Sequence, residues 1–296
     1  MRPKSAFVTA ALGFLLAWPV LAQFPTPLPE PDPDPDPGAC PGLRVCPQRT
    51  PDRSVQPRQE QHHENAPQAL SLVSPMPFFA VGNGNGDLSS SLYQFSLWGA
   101  ITDFVDYGEL GVVLFDVTYG DTPWGQLYAI GENRSLYRYE LTTGVFSAIG
   151  NTRRPINALD WCNGVLYGWS ETSLVRINPT TAQTTIVGST GFTSQGDLLC
   201  SYAGSLYGIA RVSSGNDRLV VFNTTTGAAT WTGITLPGRE FFGGEIDGEG
   251  RMFVGRQTAS RIDLYHVDLA SGVSSLVGTY PTPLGLYGLS TFPTTW

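Results

Sequence analysis

One pattern, recurring five times along the chain, limits what it can fold into more than any other feature. Each copy opens a short strand at a Leu, reaches a small residue eight positions later, and ends a second strand at position fourteen. SLYRYELTTGVFSAIG carries Leu136, Gly144 and Gly150; SLVRINPTTAQTTIVG carries Leu174, Ala182 and Gly188. RLVVFNTTTGAATWTG carries Leu219, Gly227 and Gly233, and DLYHVDLASGVSSLVG carries Leu264, Gly272 and Gly278. A degenerate first copy has Leu92 and Ala100, with Asp106 where the others have Gly. The spacings between the Leu residues are 44, 38, 45 and 45.

Before each copy runs a strand with an aromatic at a fixed place: Phe79, Tyr128, Tyr167, Tyr207 and Phe253. Upstream of four of these lies another short apolar strand, at 112–118, 156–161, 197–202 and 241–247. Four short strands in a repeat of about 40 to 49 residues are the signature of a propeller blade. A blade buries little alone, and a ring of blades buries their faces on one another. A β-sandwich accommodates short strands but does not explain five copies at one period. The expectation is an all-β chain with a single propeller over residues 68–296. Five blades are expected, with six as the alternative. The missing first strand is supplied by residues 284–292, which pair with residues 78–82 and remove the exposed edges.

The run LYAIGENRSLYRYELTTGVFSAIG, with its LYG and TTG echoes elsewhere, resembles secreted bacterial propellers of the YVTN, NHL and quinoprotein-like superfamily. It is also similar to uncharacterised extracellular propellers with LYxI…TG…G repeats. The resemblance covers most of residues 68–296 and implies the fold. Such repeats are turn and packing residues, so they imply no particular activity.

The N-terminal segments have a different composition. Residues 1–22 read as a secretory signal peptide: Arg2 and Lys4, an apolar run, then Val20-Leu21-Ala22 before Gln23. The apolar run is short for a spanning helix, so no membrane span is expected after cleavage. Residues 23–67 hold 12 of the 23 prolines and read as a stiff, disordered Pro/Asp-rich spacer. Cleavage leaves a lysine-free chain with a net charge of -10. That balance argues against nucleic acid as a partner, and the absence of Lys excludes a Schiff-base or phosphate-binding Lys. The four cysteines suggest disulfides in a secreted (extracellular or periplasmic) protein. Cys40–Cys46 is the expected pair. Cys162 and Cys200 are read either as a second disulfide or as two buried thiols.

Candidate chemistry is sparse. Asp116, Asp160, Glu245 and Ser290 fall on first strands, which line a propeller's channel. Paired carboxylates there are what a glycoside hydrolase or lyase needs, but Asp160 and Glu245 do not fall at one equivalent position when counted along the repeat. Arg153, Arg154, Arg239 and Glu240 lie in loops after fourth strands, where Arg forks suit an oxyanion. Trp169 suits either sugar stacking or packing. Asn83, Asn85 and Asp87 alternate with Gly, as in some calcium loops, without the bidentate Glu of a tight site. His266 is the only His in residues 68–296. Asp247 to Gly250 reads as a hairpin turn. No cofactor is expected. The reading is a monomeric secreted binding or interaction module for an unknown glycan, peptide or protein, or alternatively an extracellular carbohydrate-active enzyme using Asp160, Glu245 and Asp116.

Overall fold

The computed structural model describes residues 73–82, 89–98, 101–120, 125–258, 261–281 and 285–291. The expected signal peptide and spacer, the Cys40–Cys46 pair, and Asn83, Asn85 and Asp87 lie outside the described residues. Among the described residues all twenty regular elements are strands, arranged in five four-stranded antiparallel sheets. Blade 1 contains β1 (Val73–Gly82), β2 (Ser91–Trp98) and β3 (Ile101–Glu109). Blade 2 is β4 (Leu114–Tyr119), β5 (Gln126–Gly131), β6 (Ser135–Glu140) and β7 (Val145–Asn151). Blade 3 is β8 (Ala158–Cys162), β9 (Val165–Ser170), β10 (Ser173–Ile177) and β11 (Thr184–Ser189). Blade 4 is β12 (Thr193–Cys200), β13 (Leu206–Arg211), β14 (Arg218–Phe222) and β15 (Ala229–Thr235). Blade 5 is β16 (Phe241–Ile246), β17 (Met252–Gln257), β18 (Arg261–Val267) and β19 (Ser274–Pro281). The last strand, β20 (Gly288–Thr291), completes blade 1 by pairing with β1, from Phe78↔Thr291 to Val81↔Gly288. The fold is therefore a five-bladed β-propeller closed by its C-terminal strand, as the repeat predicts.

The repeat is legible because each recurring position has one job. The five Leu residues that open the third strands are all buried, between 0% and 2% exposed. They feed five hydrophobic clusters, one at each seam between neighbouring blades. Middle strands are covered on both faces, so β5 and β9 each bury five consecutive residues instead of alternating.

Position eight lies in the turn between the third and fourth strands. There Gly144, Ala182, Gly227 and Gly272 have φ values of 70°, 59°, 78° and 73°. In each, the N–H donates back four residues, at 2.7–2.8 Å, to Glu140, Asn178, Asn223 or Asp268. At position fourteen the following blade's turn docks on Gly150 and Gly188, whereas Gly233 is at a φ of 94° with nothing within 4 Å of an added Cβ. A Cβ on Gly188 would lie 1.9 Å from the Thr226 carbonyl oxygen, and one on Gly150 would lie 3.0 Å from that of Thr181.

Cys162 and Cys200 form a disulfide joining the ends of β8 and β12, with a Cα–Cα distance of 5.4 Å. Asp247 to Gly250 is a hairpin turn: the Gly250 N–H donates to the Asp247 carbonyl at 2.8 Å. The Asp247 carboxylate accepts the Arg251 N–H and its guanidinium.

Two stability measurements test this account. Gly188→Ala should lower the urea midpoint by an amount equivalent to about 2–3 kcal/mol, because backbone must move to admit the methyl. Gly191→Ala has a φ of 75° and open space around the new methyl, and should cost only about 1 kcal/mol of backbone strain. Equal losses would contradict the docking of blade 4's turn on Gly188. Replacing both Cys162 and Cys200 by Ala opens a loop of 38 residues. Chain entropy sets the expected loss at about 4 kcal/mol, read as the difference in unfolding free energy from the parent.

Candidate functional site: the central channel

The first strand of every blade is a sheet edge, so it presents unpaired N–H groups towards the ring axis. Buried N–H groups left without acceptors are costly. Each blade solves this by sending one side chain across the seam to the next first strand. Asp116 of β4 accepts the Leu159 N–H at 2.6 Å. Asp160 of β8 accepts the Cys200 N–H, and Asp197 of β12 accepts that of Gly244. Glu245 of β16 accepts the Thr291 N–H at 3.2 Å, and the Ser290 hydroxyl of β20 accepts that of Tyr119 at 2.8 Å. Five side chains thus stitch five strands into a closed circle. Gly288 makes room for this, since a Cβ there would sit 2.4 Å from an Asp116 oxygen.

Strand register corrects one expectation. Asp160 pairs with Tyr167, Glu245 with Phe253, Ser290 with Phe79 and Thr118 with Tyr128. These four occupy the same level of the ring, so Asp160 and Glu245 are equivalent. Counting missed this because the turn after β8 is two residues long and the turn after β16 is five. The bridging Asp197 was also missed, because it sits at a bulge between Gly196 and Leu198 that the repeat does not announce.

Burial dominates the electrostatics. Asp116 and Asp197 are 0% exposed, Asp160 6% and Glu245 7%. Desolvation pushes all four carboxyls up, Asp160 to about 7 and the others well above the ordinary range. Asp116 and Asp197 hydrogen-bond to each other, which lowers Asp116 and raises Asp197. That bond needs a proton on one of the two partners. Both are fully buried, and the cavities at the two ends of the axis share no lining residue.

The axis has two mouths. The lower mouth lies at the turns between first and second strands. It is a cavity of about 120 Å³ with Thr118, Asp160, Trp161, Glu245 and Ser290 in its wall. The upper mouth has a volume of about 220 Å³ and is lined by Phe115, Asn157, Gln195, Gly196, Phe242 and Tyr287.

Five of those residues come one from each blade, and each stands at a bulge at the head of its first strand. The register shifts between Leu114 and Asp116, Ser194 and Gly196, and Phe241 and Gly243. Asn157 and Ala158 both oppose Trp169, and Tyr287 and Gly288 both oppose Val81. A bulge re-aims a side chain, and here five of them turn three aromatic rings and two amides into one opening. The sequence offered no signal for this ring beyond its position before the first strands.

The loop residues behave differently. Arg153 and Arg154 line a cleft of about 540 Å³ at the seam of blades 2 and 3, with Asn151, Thr152, Pro155, Gln183 and Thr184. Arg239 and Glu240 are exposed in the β15–β16 connection, outside that cleft. The two pairs do not converge on one ligand. Trp169 is the packing residue of its two readings: it is 0% exposed and stacks edge-on against Phe222 at 4.9 Å.

No protein-family model and no curated protein matches the chain. Solved structures do resemble it. A chain of the nidogen/laminin complex matches at 10% identity with a TM-score of 0.53, covering 74% of this chain and 99% of that one. A Bacteroides thetaiotaomicron protein of unknown function matches at 13% identity with a TM-score of 0.50, over 74% of this chain and 66% of its own. TolB from Acinetobacter baumannii matches at 12% identity with a TM-score of 0.47, over 70% and 53%. The likeness to the first two is one of fold, and fold and channel together place the chain among the β-propellers.

Protonation of the channel carboxyls gives a pH dependence of defined sign. Their folded-state pKa values are raised, so the folded state holds protons that the unfolded chain releases near pH 4. The stability they contribute is full below about pH 4 and falls as pH rises through about 7 and beyond. In chelator-containing buffer the thermal midpoint should be lower at about pH 8 than at about pH 5. Asp160→Asn keeps an acceptor oxygen but cannot ionise, and should flatten the decline near pH 7. A variant with the parent's slope would refute the assignment to Asp160.

Proposed function

We propose that this chain is an exported binding module whose ligand docks on the upper mouth of the channel. The observation that carries the reading is the ring of five bulges presenting Phe115, Phe242 and Tyr287 with the amides of Asn157 and Gln195. Aromatic faces beside neutral amides suit a ligand with both apolar faces and hydroxyls, which is the chemistry of a sugar ring. The mouth is smaller than the roughly 300–1,000 Å³ of pockets that enclose a whole ligand, so one terminal residue of a glycan would enter while the rest stays outside.

Export is supported by the signal-like residues 1–22 and by the Cys162–Cys200 disulfide, a bond typical of oxidising compartments. No helix among the described residues is long and apolar enough to cross a membrane.

The enzymatic alternative has less support. Asp116, Asp160 and Glu245 each spend a carboxyl oxygen on a neighbouring blade's N–H. The cavity beside Asp160 and Glu245 is also too small for a sugar ring between them.

A glycan array on the purified chain, followed by calorimetry on the best ligand, tests the reading. Phe242→Ala and Tyr287→Ala should each weaken binding about tenfold, the loss of one aromatic contact. Unchanged affinity in both variants would remove the upper mouth as the site. Glycan hydrolysis that disappears in Asp160→Asn would favour the enzyme instead.

A further inference from the structure

The cleft at the seam of blades 2 and 3 was not used in that reading, and the turn that forms it differs from the matching turn one blade on. Thr152 and Thr190 hold equivalent places, each directly after the fourth strand of its blade. The Thr152 N–H donates to the Arg134 carbonyl and that of Thr190 to the Thr172 carbonyl, both at 2.8 Å. Each hydroxyl also reaches the carbonyl two residues on, that of Arg154 at 2.9 Å and that of Phe192 at 2.6 Å. The residue between is left-handed in both turns, but it is Gly191 at a φ of 75° in one and Arg153 at 60° in the other. Gly adopts that conformation without strain and Arg does not. The next position is Phe192 in one turn, packed against the apolar cluster of blades 3 and 4, and Arg154 in the other. Two guanidiniums thus stand where the matching turn has a Gly and a Phe, one of them at a backbone cost. Such strain persists only where the surroundings enforce it, and it gathers at functional sites. Here Asn151 Oδ1 holds the Arg153 N–H at 2.8 Å, and the Thr184 hydroxyl donates across the seam to the Thr152 carbonyl at 3.2 Å.

We infer that this cleft is an anion site, taking a sulfate or carboxylate group carried on a glycan. Arg153 and Arg154 both line it, and no acidic residue does. Among the described residues the Arg ion pairs are made by Arg138, Arg251 and Arg261, so both guanidiniums lack a carboxylate partner. A planar fork of N–H donors matches two oxygens of a sulfate or a carboxylate. The Gln183 amide and the Thr184 hydroxyl oxygen stand in the same wall and suit sugar hydroxyls. Pro155 is the one apolar side chain there, so the cleft offers little to the apolar anchors of a peptide. Its volume of about 540 Å³ falls within the roughly 300–1,000 Å³ of pockets that enclose a ligand. It shares no lining residue with the upper mouth, so the two sites stand or fall separately.

Calorimetry with three probes tests the site: a sulfated dextran oligosaccharide, an oligogalacturonate and a hexaglutamate peptide. At least one of the two glycans should bind, more weakly as salt rises, and the peptide should not. Binding of the sulfated probe alone would identify the group as sulfate, of the uronate alone as carboxylate, and of both as either oxyanion. Arg154→Gln should weaken that binding about tenfold, the loss of one charge-assisted fork. Arg153→Gly should weaken it as much while keeping or raising the parent's thermal midpoint, because the strain leaves with the charge. A merely structural Arg153 would instead lower the midpoint and spare the affinity. Arg239→Gln removes an exposed charge outside the cleft and should bind like the parent. Parent affinity in both Arg153→Gly and Arg154→Gln would overturn the site, and so would an equal loss in Arg239→Gln or a parent that binds neither glycan. Hexaglutamate bound as tightly as the glycans would overturn the assignment to a glycan.

Discussion

A ring of sheets has an inner edge, and that edge is the constraint on which the rest of this molecule depends. Each first strand turns its unpaired amides towards the axis. An acceptor must be brought to them from within the ring. Asp116, Asp160, Asp197, Glu245 and Ser290 do this in sequence, each reaching the blade ahead of it. Burying carboxyls is itself unfavourable, and the cost appears as retained protons. The centre of the propeller is therefore a polar network held together by the backbone it satisfies, surrounded by five apolar seams.

That network divides the axis into two unlike ends. The upper end is neutral and aromatic because bulges turn side chains out of the seams at the heads of the first strands. The lower end is acidic because Asp160 and Glu245 share one level there with Thr118 and Ser290. The Asp116–Asp197 pair between them is fully buried, and the cavities at the two ends share no lining residue.

Much of the architecture was readable from the chain because its repeat encodes backbone requirements. The Leu that opens each third strand, the small residue at positive φ and the Gly beneath the next blade's turn each tolerate few residue types. They therefore recur visibly. Blade count and ring closure followed from them. The channel was less legible. Asp160 and Glu245 are equivalent in space, but turns of two and five residues put them out of step in sequence. The upper ring was illegible for a related reason: Phe115, Asn157, Gln195, Phe242 and Tyr287 share a position but not a chemistry. Trp169 shows the opposite case, a large aromatic that invites a functional reading and is consumed by the seam it fills.

The closing contact between β1 and β20 joins residues more than two hundred positions apart, with Thr291 Oγ1 donating to the Pro77 carbonyl at 2.9 Å. Such a pairing has the highest contact order the chain can offer, and long-range pairings form late. Blade 1 stays three-stranded, with its inner edge open and the Ser290 stitch to blade 2 unmade, until the C-terminal strand arrives. Loss of β20 would therefore leave the inner edge of blade 1 open and unmake two stitches of the inner circle at once, that of Ser290 to blade 2 and that of Glu245 from blade 5.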